Sequence, residues 1–343
     1  MLEIEVNAER SYKVAIGAKW RDELNSITSN FQKVALIAPE FLVEHYQLSH
    51  ENLFIVPDGE SQKSYATIES IWEFLGERGI GRKDAIVGIG GGATTDLAGF
   101  AAATWLRGVE WFAFPTSLAA MVDASVGGKT GINTGSGKNL VGSFYSPSRV
   151  VIDREFLNSL SERDYAAGLA EVIKTGLISD GLILELLDSH PTVAQARTVE
   201  EELIARSVSV KARVVSADFT EGKLREILNF GHTFGHAVEK DSGYTLRHGE
   251  AVAVGLHFAL LLSEELSSLD RAVVDRSVAL LAGLGLPIHY EGDFDLFMRL
   301  MQGDKKSRSG KMRFIGIASI GEPVWYEEVN AEILQSVYER MKP

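Results

Sequence analysis

The hydrophobic pattern changes period near the middle of the chain. Up to about residue 153, short apolar runs rich in β-formers alternate with helical stretches: Val34–Ala38, Leu53–Val56, Ala85–Ile89, Trp111–Phe114 and Val150–Ile152 read as strands. Such alternation predicts a mostly parallel sheet flanked by helices, because parallel neighbours need a crossover between them. Beyond that point apolar residues recur at helical spacing, most clearly over Phe156–Ser179, Glu201–Asp218, Leu224–Lys240 and Glu250–Leu266. The expected organisation is an α/β domain over residues 1–153 and an all-α domain over 154–343. One late β-rich run, Met312–Ser319, follows the basic stretch Lys305-Lys306-Ser307-Arg308 and is expected as a hairpin or edge strand.

Within the first domain, Ala85 to Ala93 runs from a strand through Gly88, Gly90, Gly91 and Gly92 towards a helix, and it matches the spacing G-x-G-x-x-A. Glycines there let backbone N–H groups and a helix N-terminus approach a pyrophosphate. The same pattern also describes a tight turn with no ligand. Its place on a middle strand, with Asp96 one turn into the helix, suggests a variant of the Rossmann-like dinucleotide site. Val126-Gly127-Gly128-Lys129-Thr130 invites a nucleotide-kinase reading, yet a Walker A loop needs glycine where Asp123 stands, so that reading fails. What remains is a polar, glycine-rich segment carrying Asp123, Lys129, Asn133, Lys138 and Asn139, expected near the carboxyl ends of the strands, where open α/β sheets place ligands.

Composition narrows the chemistry. With 47 acidic against 34 basic residues in 343, the net charge of −13 disfavours nucleic acid and anionic membranes as partners and favours a small molecule. Clusters of Lys and Arg set against that field become informative. The absence of cysteine excludes disulfides, thiolate nucleophiles and Cys-ligated metal centres, so any metal must sit on His, Asp or Glu. The N-terminus reads as no signal peptide, and the apolar run Ala251–Leu262 is too short to span a bilayer, so the cytoplasm is the expected location.

The sharpest signal lies in Leu224–Lys240. On a helical wheel Arg225, Asn229, His232 and His236 share one stripe, beside a separate apolar stripe with Gly231 and Gly235 that permits close packing. An ordinary amphipathic helix needs no column of Arg, Asn, His and His. Spacing nominates His232 and His236 as an i, i+4 metal pair with His248 or a carboxylate as third ligand. His248 opens the next helix, and Glu171, which shares a face with Lys174, is the best carboxylate candidate, although that pair also suits a surface ion pair. His257, inside an apolar run, reads as a structural histidine.

With these residues in hand the chain resembles the 3-dehydroquinate synthases nearly end to end. The resemblance rests on Asp58-Gly59-Glu60-x-x-Lys63, Gly90-Gly91-Gly92-x-x-x-Asp96, Leu106-Arg107-Gly108, Met121 to Thr130, Gly137-Lys138-Asn139, Gly168 to Lys174, Leu228 to His236 and His248-Gly249-Glu250-Ala251. It implies that family's two-domain fold, a homodimer, NAD, a zinc or cobalt ion, and 3-deoxy-D-arabino-heptulosonate 7-phosphate as a phosphorylated sugar-acid substrate. The implied metal ligands are Glu171, His232 and His248, which reassigns His236 to substrate contact or proton relay. Implied cofactor contacts are Asp58, Glu60, Lys63, Gly91, Gly92, Asp96, Thr116, Lys129 and Lys138, with Ser117, Phe156 and Ser159 nearby. Arg107, Asp123, Lys129, Asn139, Lys174, Lys211, Arg225, Asn229 and one of Lys305 or Lys306 would line the substrate pocket.

The implied reaction is a lyase-type cyclisation: transient oxidation by NAD⁺, phosphate elimination, re-reduction, ring opening and aldol closure, with no net NADH. Sister cyclases acting on sedoheptulose 7-phosphate or glucose 6-phosphate, and a metal-dependent polyol dehydrogenase, share the glycine turn and metal helix. Arg225 and Asn229 favour a carboxylated substrate over the sister sugars, and Lys129, Lys138, Lys174 and Lys211 speak against a neutral polyol.

Overall fold

A computed structural model of the chain describes residues 1–305 and 313–342, the backbone alone over 303–305. The chain forms two compact units: Met1–Leu160 with Lys211–Thr220, and Ser161–Val210 with Glu221–Pro343.

The first unit carries β1 (Leu2–Asn7), β2 (Ser11–Ile16), α1 (Trp20–Asn30), β3 (Val34–Pro39), α2 (Glu40–Tyr46), β4 (Leu53–Val56), α3 (Tyr65–Glu77), β5 (Ala85–Gly90), α4 (Gly92–Thr104), β6 (Glu110–Pro115), β7 (Lys129–Thr134), β8 (Gly137–Phe144) and β9 (Arg149–Ile152). Seven strands form one sheet in the order β1-β2-β9-β6-β5-β3-β4, parallel throughout except for the β1–β2 hairpin. β3 and β5 are wholly buried, as strands covered on both faces must be. The order runs outward from β3 to β4 and then returns to the other side of β3 with β5. That reversal is the kind of switch point where ligands bind at the carboxyl ends. Two hairpins lay outside the expected strands. β1 alternates along an exposed edge, and β7–β8 is so rich in glycine that it reads as loop.

The second unit contains α5 (Glu162–Ile178), α6 (Leu182–Ser189), α7 (Val193–Ala196), the first half of α8 (Glu200–Ala217), α9 (His232–Asp241), α10 (His248–Ser267), α11 (Arg271–Gly283), α12 (Phe294–Lys305), the hairpin β10 (Arg313–Ser319) and β11 (Glu322–Glu327), and α13 (Ala331–Met341). The hairpin makes this unit mainly, not wholly, helical, and it sits where the late β-rich run predicts one.

Two expected helices are broken. Phe156–Ser179 divides into a 3₁₀ turn, Arg154–Ser159, and α5, because Ser161 caps a fresh start through its hydroxyl to Asp164 N. Leu224–Lys240 divides into a 3₁₀ turn, Leu224–Asn229, and α9, with Gly231 between them at φ 78°. Gly231 takes the left-handed conformation open to glycine, and a side chain there would also strike Leu256 at 2.9 Å. The single stripe of Arg225, Asn229, His232 and His236 therefore does not lie on one continuous helix.

Candidate active site

α10 is buried from Gly249 to Ser263, and α5 from Tyr165 to Ile178. They can be that close because glycines replace side chains at the crossings. A Cβ on Gly249 would stand 1.8 Å from Ala167 O, and one on Gly255 would stand 1.9 Å from Gly231 O. These backbone-to-backbone approaches set α5, α9 and α10 together and bring one polar residue from each to a common point. Glu171 comes from the middle of α5, His232 from the first position of α9, and His248 from the first position of α10. Their candidate donor atoms all lie within 4.8 Å of one another.

The chemistry of this set is that of a divalent metal centre. His232 Nδ1 donates to Phe230 O at 3.1 Å and His248 Nδ1 donates to Glu239 Oε2 at 3.2 Å, which leaves both Nε2 lone pairs directed at Glu171 Oε1, at 3.4 and 3.3 Å. Neither carboxylate oxygen of Glu171, which is 1% exposed, accepts a well-formed hydrogen bond. Two imidazole lone pairs facing a buried carboxylate repel unless a cation or a proton sits among them. Burial acts to raise the Glu171 pKa, but Lys174, 2.5 Å from Oε2, and His232 hold it well below the usual range. Burial and Lys174 pull His232 down to about 4, a neutral imidazole fit to ligate. Burial opposes protonation of His248, yet Glu171 and Glu239 lift it to about 10, so in the absence of metal a proton supplies the missing positive charge. The residues fit the zinc-type ion.

His236, expected on spacing as a ligand partner of His232, stands beside the set with ring centroids 5.4 Å from His232 and 5.9 Å from His248. Arg225 is buried and Asn229 donates to Glu221 Oε1 at 3.0 Å. His257 is a satisfied core histidine, its Nδ1 on Ile288 O at 2.8 Å. Lys306 lies outside the described residues, and Lys305 is described only as the last backbone position of α12.

In the first unit, residues expected at the cofactor follow the carboxyl ends of successive parallel strands. Asp58, Glu60 and Lys63 come after β4, Gly91, Gly92 and Asp96 after β5, Thr116 and Ser117 after β6, and Ser159 after β9. The glycines divide by purpose. Side chains at Gly88 and Gly90 would strike Ala98 Cβ at 2.6 Å and Thr94 Oγ1 at 2.4 Å, so those two serve the packing of α4 on β5. A Cβ at Gly91 would meet only Ser117 Oγ at an ordinary 3.6 Å, so the helix N-terminus stays open to a ligand.

Lys63 is the hub on this side. Its Nζ, 2% exposed, lies 2.7 Å from Asp96 Oδ2, donates to Asn139 Oδ1, and stands 3.8 Å from Glu60. Asn133 ties the β7–β8 hairpin to the same point, with its N on Lys63 O at 2.8 Å and its Nδ2 on Glu60 Oε1 at 2.8 Å. Burial raises the Asp96 pKa in spite of Lys63. Lys63→Met is expected to cost about 2 kcal/mol of stability, below the usual loss for a buried pair because Asp96 keeps part of its surface, and to weaken NAD⁺ binding. Chemical denaturation and NAD⁺ titration check both.

Lys211 Nζ donates to Asp123 Oδ1 at 2.6 Å, and Lys129 and Lys138 lie on β7 and β8. One residue expected at the cofactor is placed elsewhere. The Phe156 ring is fully buried between Trp20 and Tyr46, at 5.3 and 5.2 Å, so its side chain serves the core and offers no surface to a cofactor. Arg107, expected at the substrate, is exposed in the turn that follows α4 and precedes β6. Glu239 was not anticipated. Its one signal in the sequence was its place seven residues beyond His232 and three beyond His236, on the same face of the helix as those two histidines.

Comparison with known proteins agrees with this geometry. Residues 53–167 match the N-terminal family of 3-dehydroquinate synthase and residues 168–307 its C-terminal family. The 3-dehydroquinate synthase of Mycolicibacterium vanbaalenii is 45% identical, over 98% of this chain and 97% of that protein. Two solved structures are similar over nearly their whole length. A 2-deoxy-scyllo-inosose synthase complexed with carbaglucose-6-phosphate, NAD⁺ and Co²⁺ has a TM-score of 0.88 at 26% identity, covering 98% of this chain and 100% of that one. The 2-epi-5-epi-valiolone synthase ValA of Streptomyces hygroscopicus, with NAD⁺ and Zn²⁺ bound, has a TM-score of 0.89 at 25% identity, covering 99% of each. With both family matches and this identity across nearly its full length, the chain belongs to the 3-dehydroquinate synthase family.

Proposed function

We propose that the chain converts 3-deoxy-D-arabino-heptulosonate 7-phosphate into 3-dehydroquinate and inorganic phosphate, using NAD⁺ and a zinc or cobalt ion. The observation that carries this reading is the Glu171–His232–His248 set, with a buried carboxylate between two imidazole lone pairs and Lys174 against it. When bound, the ion supplies Lewis acidity to a substrate hydroxyl, and NAD⁺ supplies a hydride acceptor that is regenerated within each turnover.

The chain's own residues do the rest. Glu171, His232 and His248 hold the ion, and Lys174, fixed by Glu171, presents an ammonium to an anionic oxygen. His236, exposed beside the ligands, carries protons to and from the substrate. Arg225 and Asn229 face the carboxylate, while Lys129, Asn139 and the Asp123–Lys211 pair receive polar and phosphate groups of the substrate. The N-terminus of α4 at Gly91 and Gly92, with Lys63, Asp96, Thr116, Ser117 and Lys138, holds the nucleotide. The first unit is thus the NAD-binding domain and the second the metal-binding one.

The test is phosphate release by chelator-stripped protein restored with zinc or cobalt, in the presence of catalytic NAD⁺. Release that needs both and leaves no net NADH is expected. Sedoheptulose 7-phosphate and glucose 6-phosphate, substrates of sister cyclases, are expected to give none. Release only from one of them, or NADH accumulating from a plain polyol, overturns the assignment.

We also place the protein in the cytoplasm as a homodimer. No helix among the described residues is long and apolar enough to cross a membrane. Light scattering at the 37.5 kDa of one chain would refute the dimer.

A further inference from the structure

The two imidazoles of the metal set are supported differently. His232, whose side chain is 10% exposed, has its Nδ1–H on a neutral backbone carbonyl, that of Phe230. His248, whose side chain is 43% exposed, has its Nδ1–H on the carboxylate of Glu239. Glu239 is itself buried on α9, and a carboxylate withdrawn from water on a helix flank needs a compensating interaction. The more exposed ring, with more rotamer freedom to lose, is the one held by a charge.

We propose that Glu239 is a positioning residue for the metal centre. It fixes His248 in the tautomer that carries the proton on Nδ1, turns Nε2 towards the Glu171 carboxylate, and strengthens Nε2 as a donor by drawing on the Nδ1 proton. This is the carboxylate–imidazole–metal arrangement in which the outer partner tunes affinity as well as orientation. The inference rests on the reading that Glu171, His232 and His248 hold the ion.

The competing use of Glu239 is as a ligand to a second cation, since His236, Glu239 and His248 also bring donor atoms within 4.8 Å of one another. A cation there would have to displace the His248 Nδ1 proton while Nε2 served the first ion. Glu239 Oε2 at 3.2 Å suits a hydrogen bond from that proton.

The test is zinc affinity by competition with a chromophoric chelator, together with the visible absorption of the cobalt-substituted protein, for the wild type, Glu239→Gln, Glu239→Ala and His248→Ala. Glu239→Ala is expected to weaken zinc binding about 10- to 100-fold and to change the cobalt spectrum. Glu239→Gln keeps an acceptor oxygen without the charge and is expected to lie between it and the wild type. Melting of the metal-free forms reports whether each variant folds, and the isosteric Gln variant carries the test if the Ala variant does not fold.

If His248→Ala binds zinc as tightly as the wild type, the ligand assignment itself fails. If His248→Ala loses affinity while both Glu239 variants keep wild-type affinity and spectrum, the positioning role is overturned. Two zinc ions per wild-type chain, one of them lost in Glu239→Gln with the other unaffected, also overturns it.

Discussion

His232→Ala is expected to remove turnover almost completely while leaving the second unit folded. The imidazole contributes one of three donors to the ion, and loss of Lewis-acid stabilisation worth several kcal/mol corresponds to a fall of ~10³-fold or more in kcat. Fold should survive because His232 occupies the first position of α9, while the apolar side of that helix, with Phe234 stacked on Phe258 at 4.3 Å and edge-on to Phe297 at 5.2 Å, is untouched. Besides its contacts within the metal set, the ring gives up one hydrogen bond, to Phe230 O, a matter of about 1 kcal/mol. The decisive comparison is melting with and without zinc. The wild type should be stabilised by metal through mass action, and the variant should melt near the stripped wild type in both conditions. A variant that keeps full phosphate release after chelation would end the metal assignment.

Gly255→Ala is expected to be the most destabilising single methyl in the chain's described glycine contacts apart from Gly249. The new Cβ would stand 1.9 Å from Gly231 O and 2.8 Å from Gly235 N, and neither is the far end of a movable side chain. α9 and α10 would have to separate, so a loss of about 4 kcal/mol is expected, beyond the usual range for overpacking because backbone must move. Zinc affinity should fall with it, since those two helices carry His232 and His248. Gly135→Ala is the control: nothing lies within 4 Å of a Cβ there and no effect is expected. Equal urea midpoints for Gly255→Ala and the wild type would show that the helices have room the geometry denies.

These two variants probe different levels of legibility. The ligand identities could be proposed from residue types and from family resemblance, because Glu, His and Lys in such motifs have few other uses. The packing glycines were legible in part. Gly231 and Gly235 stood out as points of close approach beside the histidine stripe, but the partner that approaches them, Gly255, lies on another helix and has no mark in local periodicity. The helical wheel failed at Gly231 for the same reason: a 100° rotation per residue continues through any residue on paper. In the protein the turn at φ 78° is selected by what packs against it.

Spacing also misjudged distance. His232 and His236 are neighbours on α9, yet the donors that meet come from α5, α9 and α10, and His236 is left at their side. Phe156, carried over from the resemblance as a cofactor contact, has its ring in the core instead.

The sequence by itself determined the class of each half, the five parallel strands read from apolar runs, the absence of any cysteine-based chemistry and the stock of residues available for metal, nucleotide and phosphate. These follow from period, composition and side-chain chemistry, which are properties of single segments. The tertiary structure alone decided which glycines after β5 serve packing and which leave a helix end open, that Lys63 joins β4, α4 and the β7–β8 hairpin, and that Glu239 stands behind His248. Those are relations between segments far apart in the chain. They arise from close approach of buried backbones, for which no one-segment pattern carries a signal.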